Sequence, residues 1–511
     1  MVLTQLSNLN FKEIFFRLNG RGMMTGSLRH RQKRGVPPRD ADPNFQEQRL
    51  DQPALPDPEV EALVSRAQFA QKTLQDWSEA QVEALLLALA QAVASQAEML
   101  ATVAVEESHI GNIADKAEKA RFGSLTVYQS LVGKPGPGLI SVDNEQGIAT
   151  FAAPVGVVLG LIPATNPIST AIFKTLIALK ARNALILSFS RRTTQLGLKL
   201  TTIIQEVLKQ YGASVDLIQA VNPTQSRQQT NLLMQHRDVA LILATGGPRL
   251  VNTAYRSGTP AIGVGPGNAP VLITADADLQ QAATKVIQSK TFDHGVICCS
   301  EQNLVVCRQV RQPFIEALLG LGAAILTPAE VVRFRAGAID PRTGQLRGDL
   351  VGRSAETIAV NLGIKRDHLI KLIINPTSDI SPNNPLAAEK LAPVLSLVTV
   401  SDEQEGLDVC QTLLNNFGRG HTAIIHSNNG HLIQQFGTLM PASRILVNAP
   451  GATGGIGLDT GLTPSLTLGC GTFGGNSTTD NVSYEHLFNF KRLAYHRPAV
   501  EPGNRLICQV M

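Results

Sequence analysis

The sequence predicts an α/β protein built on parallel sheets, and three features carry that prediction. Residues 155–161, 184–187, 239–243 and 395–400 are short apolar runs without alternation. Strands covered on both faces read this way, as they do in parallel sheets. The stretches between them, at 169–180, 196–211 and 225–236, carry helical periodicity. Strands alternating with helices of that length indicate a sheet wound on both sides. A third feature stands apart. Residues 139–142 and 148–151 flank the polar turn 143–147, which reads as an antiparallel hairpin.

Taken in order, Val60, Leu63, Val64, Ala67, Ala70 and Leu74 share one helical face. Ser78 with Gln81 reads as a capping box that opens a second helix through Leu85, Leu86, Leu89 and Val93. A third helix runs toward Glu107, and a fourth is expected between Asp115 and Val132. Pro135 and Gly138 break the pattern before the hairpin. After it come the strands and helices named above, with a further strand-like run at 216–221. A second α/β block begins near Pro270, with strands starting at Leu304, at 395–400 and at 422–426. From Gly451 to Asn476 the chain is dense in Gly, Thr and Ser and reads as loops over a site.

The composition narrows the class. Of 511 residues, 43% are apolar and 17% charged, which supports a large core and argues against disorder. A net charge of +4 gives no support for nucleic-acid binding. Six cysteines do not make a disulfide framework and fit a reducing, cytoplasmic setting. No apolar run reaches about 18 residues, so no membrane span is expected. No His/Cys/Asp/Glu cluster has metal-ligand spacing, so no metal is expected.

Residues 1–57 differ from the rest. Up to Arg39 there are eight Lys/Arg against one acid, Glu13. Phe11, Ile14, Phe15 and Leu18 share a helical face, and a proline-rich linker follows. The segment fits a flexible tail, an organelle transit peptide, or a short helix of the kind that tethers enzymes to a bacterial microcompartment shell.

The residues that carry chemistry centre on 289–303, Ser-Lys-Thr-Phe-Asp-His-Gly-Val-Ile-Cys-Cys-Ser-Glu-Gln-Asn. A thiol at the lip of a strand, on backbone that Gly295 lets bend, is placed to attack a substrate. Free cysteines are more often small core residues, and the flanks decide against that here. Gly295 followed by Cys298, and the run Ile297-Cys298-Cys299-Ser300-Glu301-Gln302, resemble the catalytic loop of aldehyde dehydrogenases. The likeness is closest to the CoA-acylating branch and extends over about 58–495. It implies two α/β domains with parallel sheets plus an oligomerisation hairpin: a cofactor-binding domain (58–138 and 154–269), the hairpin (139–153), a thiol-bearing catalytic domain (270–455) and C-terminal loops with an oligomerisation segment (456–511). It also implies a homo-oligomer.

On that resemblance Cys298 is the nucleophile, and Cys299 faces away and packs. Asn166, in the loop after strand 155–161, matches the family's oxyanion-hole asparagine; turn chemistry before Pro167 is the plainer reading. Thr245, Gly246 and Gly247 are similar to the loop on the nicotinamide side, where a strand–turn–helix exposes backbone N–H groups. Glu389 matches the carboxylate that holds the nicotinamide ribose. Ser188 and Arg191 stand where relatives have a lysine and a carboxylate at the adenosine ribose. That leaves NAD against NADP open, since arginine can hold a 2′-phosphate. Gly263–Asn268 is not a dinucleotide fingerprint, because its third glycine is misplaced. Hydrolytic relatives carry a glutamate base at about Gly263, and glycine cannot activate water. His421 resembles a branch residue that would bind or deprotonate CoA, or is a hydrogen-bonded structural histidine. Gly469 and Gly471 would admit substrate or CoA closely.

The implied reaction converts a short-chain aldehyde, CoA and NAD(P)+ to acyl-CoA and NAD(P)H. Acetaldehyde is the first choice, with sulfoacetaldehyde or succinate semialdehyde next. A hydrolytic aldehyde dehydrogenase and a non-catalytic structural protein are the rivals. Glutamyl-phosphate-type reduction ranks below them.

Overall fold

The computed structural model describes residues 57–222 and 226–497. The basic N-terminal segment lies outside them. Four helices come first: Pro58–Leu74, Glu79–Ser95, Ala97–Ser108 and Ile113–Arg121. The apolar face 60/63/64/67/70/74 is buried as its spacing predicts. The Ser78–Gln81 capping box is formed. The expected fourth helix is interrupted. It passes into a π-turn, Phe122–Thr126, before resuming at Val127–Leu131.

Strands β1 (Gly138–Asp143) and β2 (Ile148–Pro154) form the hairpin. The first parallel sheet uses β3 (Val157–Ile162), β4 (Ala184–Phe189), β5 (Ile218–Ala220), β6 (Val239–Thr245) and β7 (Ala261–Val264) in the order 5-4-3-6-7. The expected strand at 216–221 keeps only three residues, because Val215–Leu217 turn in a 3-10 helix. Helix Pro167–Lys180, opened by proline at its first turn, is buried at all fourteen positions. A helix buried on every side is a core helix, and this one packs against the strands β3 and β4 and the early helices.

The second sheet uses β8 (Ala269–Ile273), β9 (Glu301–Cys307), β10 (Ala323–Ile325), β13 (Leu372–Pro376), β14 (Val394–Val400), β15 (Gly420–His426) and β16 (Ala442–Val447). Its order is 10-13-14-9-8-15-16, all parallel. Strands β11 (Ile339–Asp340) and β12 (Gln345–Leu346) make a small ribbon. The last strand, β17 (Phe488–Ala494), pairs antiparallel with β2, so the hairpin becomes a three-stranded sheet.

Chain order fixes how the sheets face each other. β3 and β6 are neighbours, and their crossovers diverge from that point. Such a switch opens a crevice at the carboxyl ends of the strands. β7 then leaves the carboxyl edge of the first sheet, and residues 265–268 lead straight into the amino end of β8. The carboxyl edge of one sheet is therefore joined to the amino edge of the other. No single helix among the described residues is long and apolar enough to cross a membrane.

Phe173 is fully buried in the core helix. Phe173→Ala is expected to cost about 3–5 kcal/mol, read as a lower urea midpoint with an unchanged slope.

Candidate active site

Four neighbouring strands of the second sheet, β14, β9, β8 and β15, bring their amino ends to one edge. Strand spacing is about 4.8 Å, so residues just before these strands lie within side-chain reach of one another. Those residues are Glu389 before β14, Cys298 before β9, Gly267 before β8 and, at the start of β15, His421. The carboxyl edge of the first sheet contributes Asn166 after β3, Ser188 and Arg191 at β4, and Thr245–Gly247 at β6. The two sets of residues named from the sequence thus lie on facing edges.

The loop that carries Cys298 is enclosed by close backbone contacts. An added Cβ on Gly267 would stand 1.7 Å from the Cys298 carbonyl oxygen. Added to Gly451, it would lie 2.7 Å from the Cys299 carbonyl oxygen, and on Gly455 it would lie 2.7 Å from the Cys299 sulfur. Side chains also anchor the loop. Glu301 accepts the Gly451 N–H at 2.7 Å and the Ser289 hydroxyl, and Ser289 Oγ accepts the Ala452 N–H at 2.7 Å. Burial pushes the Glu301 carboxyl up to about 7.

Three successive residues ahead of the thiol are left-handed: Asp293 (φ 44), His294 (φ 55) and Gly295 (φ 70). A left-handed non-glycine costs on the order of 1–2 kcal/mol, so two of them need compensation. Asp293 supplies it. Its N–H donates to Asp115 Oδ2 (2.7 Å), its Oδ1 accepts the Asn112 N–H (2.8 Å), and its Oδ2 accepts Lys116 Nζ (2.9 Å) and Lys119 Nζ. His294 Nδ1 pairs with the Gly352 carbonyl at 2.9 Å. Gly295 cannot be replaced, because its Cβ would fall 2.7 Å from the Ala392 oxygen.

Cys298 is partly exposed, whereas the other described cysteines are buried. Its thiol is held well below the ordinary value. The hydrogen bond from Cys299 is the largest cause; burial opposes it, and His421 and Arg444 add to the lowering. Burial raises every other described thiol: Cys299 well above the ordinary value, Cys307 to about 12, Cys470 to about 11 and Cys410 also upward. The thiolate is the reactive form, so Cys298 stands out among the described cysteines on chemical grounds. Cys299 packs in the core, as expected, with its Sγ 3.3 Å from the Ala452 oxygen. It is also the neighbour that does most to lower the Cys298 thiol, a role its sequence position does not show.

His421 is fully buried. Its Nδ1 pairs with Thr422 Oγ1 at 2.9 Å, while Nε2 has no hydrogen-bond partner among the described residues. Arg444, also buried, donates to the carbonyls of His421 (2.8 Å) and Gly469 (2.6 Å). The glycines at 469 and 471 make room for the chain's own Thr478 and Thr479, which a Cβ would meet at 2.3 and 2.5 Å.

Glu389 Oε1 accepts the Gly267 N–H at 3.2 Å. Its loop is fastened by Lys390, whose N–H donates to Gln302 Oε1 (2.8 Å) and whose Nζ binds the Leu386 and Ala388 carbonyls. Burial first, and then the nearby Cys298 charge, push Glu389 up to about 8. At Gly263 the space is filled: a Cβ would lie 2.6 Å from Val251 and 2.7 Å from the Tyr255 ring, whose hydroxyl accepts the Gly263 N–H at 2.8 Å.

On the first sheet, Thr245 Oγ1 lies 3.2 Å from Thr467 Oγ1, and Gly247 opens helix Pro248–Arg256 with open space before it. Such a helix start suits a phosphate or amide contact. Ser188 Oγ is turned to Thr230 Oγ1 at 2.6 Å, and Arg191 is exposed. Asn166 stands just before helix Pro167–Lys180 without capping it through its side chain; Lys119 Nζ donates to its Oδ1, and its Nδ2 donates to Thr165 Oγ1 at 3.2 Å.

Sequence reasoning missed Lys116, Lys119, Asp293, Arg444 and Tyr255. The run 113–121 is polar enough to read as a solvated helix. The lysine spacing i, i+3 beside Ala117 and Ala120 is the one signal that both point inward.

The chain belongs to the aldehyde dehydrogenase family, which matches residues 39–458. Its likeness falls in the CoA-acylating branch. It is 39% identical over 441 residues to the bifunctional aldehyde-alcohol dehydrogenase of Escherichia coli K12, covering 85% of this chain and 49% of that protein. The chain thus spans about half the length of that relative. The acetylating aldehyde dehydrogenase of Geobacillus thermoglucosidasius superposes with a TM-score of 0.84 at 39% identity, covering 87% of this chain and 97% of that one. The propionaldehyde dehydrogenase of Rhodopseudomonas palustris, solved with bound CoA and an acylated cysteine, gives 0.77 at 25% identity, covering 85% and 97%.

Removing the Cys299 donor is expected to raise the pH at which Cys298 reacts. In Cys299→Ala, the midpoint of the iodoacetamide rate against pH moves upward, and a midpoint that stays in place would exclude Cys299 as the main stabiliser.

Proposed function

We propose that the protein converts a short-chain aldehyde, CoA and NAD(P)+ to acyl-CoA and NAD(P)H through a thioester on Cys298. The observations that carry this reading are a lowered, partly exposed thiol and a position 263 that has no room for a base. The Cys298 thiolate adds to the aldehyde carbon. The Asn166 NH2 group donates to the oxygen as its charge develops. When bound, NAD(P)+ takes the hydride that the resulting hemithioacetal gives up.

The chain's residues fit that cofactor. Thr245–Gly247 offer backbone at a strand-to-helix turn, Ser188 and Arg191 edge the adjacent strand, and Glu389 offers a carboxyl group for a ribose. The thioester then persists, because Gly263 carries no base. CoA thiol displaces Cys298. His421 Nε2, buried and without a partner among the described residues, is the group placed to bind or deprotonate it.

Acetaldehyde is the proposed aldehyde. The acetylating relative of known structure supports it. The exposed Leu139 of β1 and Phe490 and Leu493 of β17 support an oligomer built on the three-stranded sheet, which light scattering would measure. The free thiols support a cytoplasmic setting.

The test is NAD(P)H formation from acetaldehyde, sulfoacetaldehyde and succinate semialdehyde, with and without CoA and with each nicotinamide cofactor. Steady turnover is expected only with CoA. Cys298→Ala is expected to fall by at least a thousandfold. Full turnover without CoA would show a hydrolytic enzyme instead.

A further inference from the structure

A carboxamide can turn over about its last bond and present oxygen where NH2 is needed. An ammonium group removes that freedom, because it only donates and so must face the oxygen. Lys119 Nζ donates to Asn166 Oδ1. The NH2 group is left for Thr165 Oγ1 and for the cleft.

Lys119 is itself held tightly. Its side chain is 2% exposed and binds Asp293 Oδ2, which also takes Lys116. Lys116 Nζ donates to the Thr165 carbonyl at 3.0 Å. Two lysines spaced i, i+3 on one helix thus grip two consecutive residues of the loop after β3. The π-turn that follows presses the same helix against the start of helix Pro167–Lys180. A Cβ added to Gly123 would stand 2.8 Å from the Ser169 carbonyl oxygen. Asp293 belongs to the left-handed turn leading to Cys298, so one carboxylate links the thiol loop to the amide.

We infer that Lys119 is a positioning residue for the oxyanion site: it holds the Asn166 amide oxygen away from the substrate and strengthens the NH2 group as a donor. The strengthening follows from polarisation along a hydrogen-bonded chain in a dry interior. Asp293 fixes the lysine and carries the arrangement to the nucleophile loop. This inference rests on the reading of Asn166 as the oxyanion donor.

A double-variant cycle tests it, using single-turnover NAD(P)H formation on mixing enzyme, acetaldehyde and cofactor. Lys119→Met is expected to slow acylation roughly tenfold to a hundredfold, less than the ~10²–10³ lost with an oxyanion donor itself. Asn166→Ala gives the larger loss, and the double variant is expected to be no slower than Asn166→Ala alone. Iodoacetamide alkylation of Cys298, which uses no oxyanion donor, is expected to be unchanged in Lys119→Met. Losses that multiply in the double variant, or alkylation that falls in parallel, would overturn the inference by showing that the lysine only supports the fold. Full acylation in Lys119→Met with a slow Asn166→Ala would overturn it and leave Asn166 as the donor. Full acylation in Asn166→Ala would sink the reading of Asn166 instead. Lys119→Gln is polar and neutral but can also accept, so it too loses the donor-only constraint, and the same cycle with the same expected outcomes decides the matter where methionine does not fold.

Discussion

A single buried carboxylate, Asp293, lies between two buried ammonium groups, and the geometry of the cleft depends on it. Its two lysines come from the first block of helices, and its backbone belongs to the turn that delivers Cys298. Breaking a buried pair by removing one partner costs about 3–5 kcal/mol, because a charge is left without compensation. That is of the same order as the strain of the two left-handed residues, about 2–4 kcal/mol together. Burial, more than any charge, lowers Lys119 to about 8, with Asp293 working against that shift. The lysine keeps its proton below that pH, so the network is intact near neutrality.

Around that ion cluster the loop is enclosed by main chain. Gly267, Gly451 and Gly455 each bring backbone to the vicinal cysteines at distances a methyl group could not share. Such contacts leave few ways for the thiol to move. They also let Cys299 reach the Ala452 carbonyl from a fully buried position. The reactive sulfur therefore owes its character to a neighbour in sequence, with His421 and Arg444 behind it. Arg444 binds the His421 and Gly469 carbonyls, joining β15 to the C-terminal loops.

Much of this architecture is legible from residue order. Unbroken apolar runs mark both sheets, and the turn at 143–147 marks the hairpin. Ser78 and Gln81 give the capping box to the residue. What escaped is what periodicity cannot carry. The π-turn at 122–126 depends on packing against Ser169, which is distant in sequence. Strand β5 shrank because Val215–Leu217 turn on a local cap. Lys116 and Lys119 read as solvated because lysines usually are, and only a partner 174 residues away from Lys119 makes burial possible. The glycines at 469 and 471 suggested room for a ligand, yet the close approach is to the chain's own Thr478 and Thr479. Cys298, Asn166 and Glu389 come to facing edges because one sheet ends where the other begins, which a linear reading of motifs does not state.

The filled space at Gly263 bears on how this chemistry changes over generations. A carboxylate introduced there would collide with Val251 and Tyr255, and the Tyr255 hydroxyl also binds the Ser477 N–H. One codon change would damage packing before it supplied a base. On the proposed reading, a lineage drifting from thiol acceptors toward water would first have to clear an aromatic ring, so several coordinated replacements rather than one would separate the two chemistries.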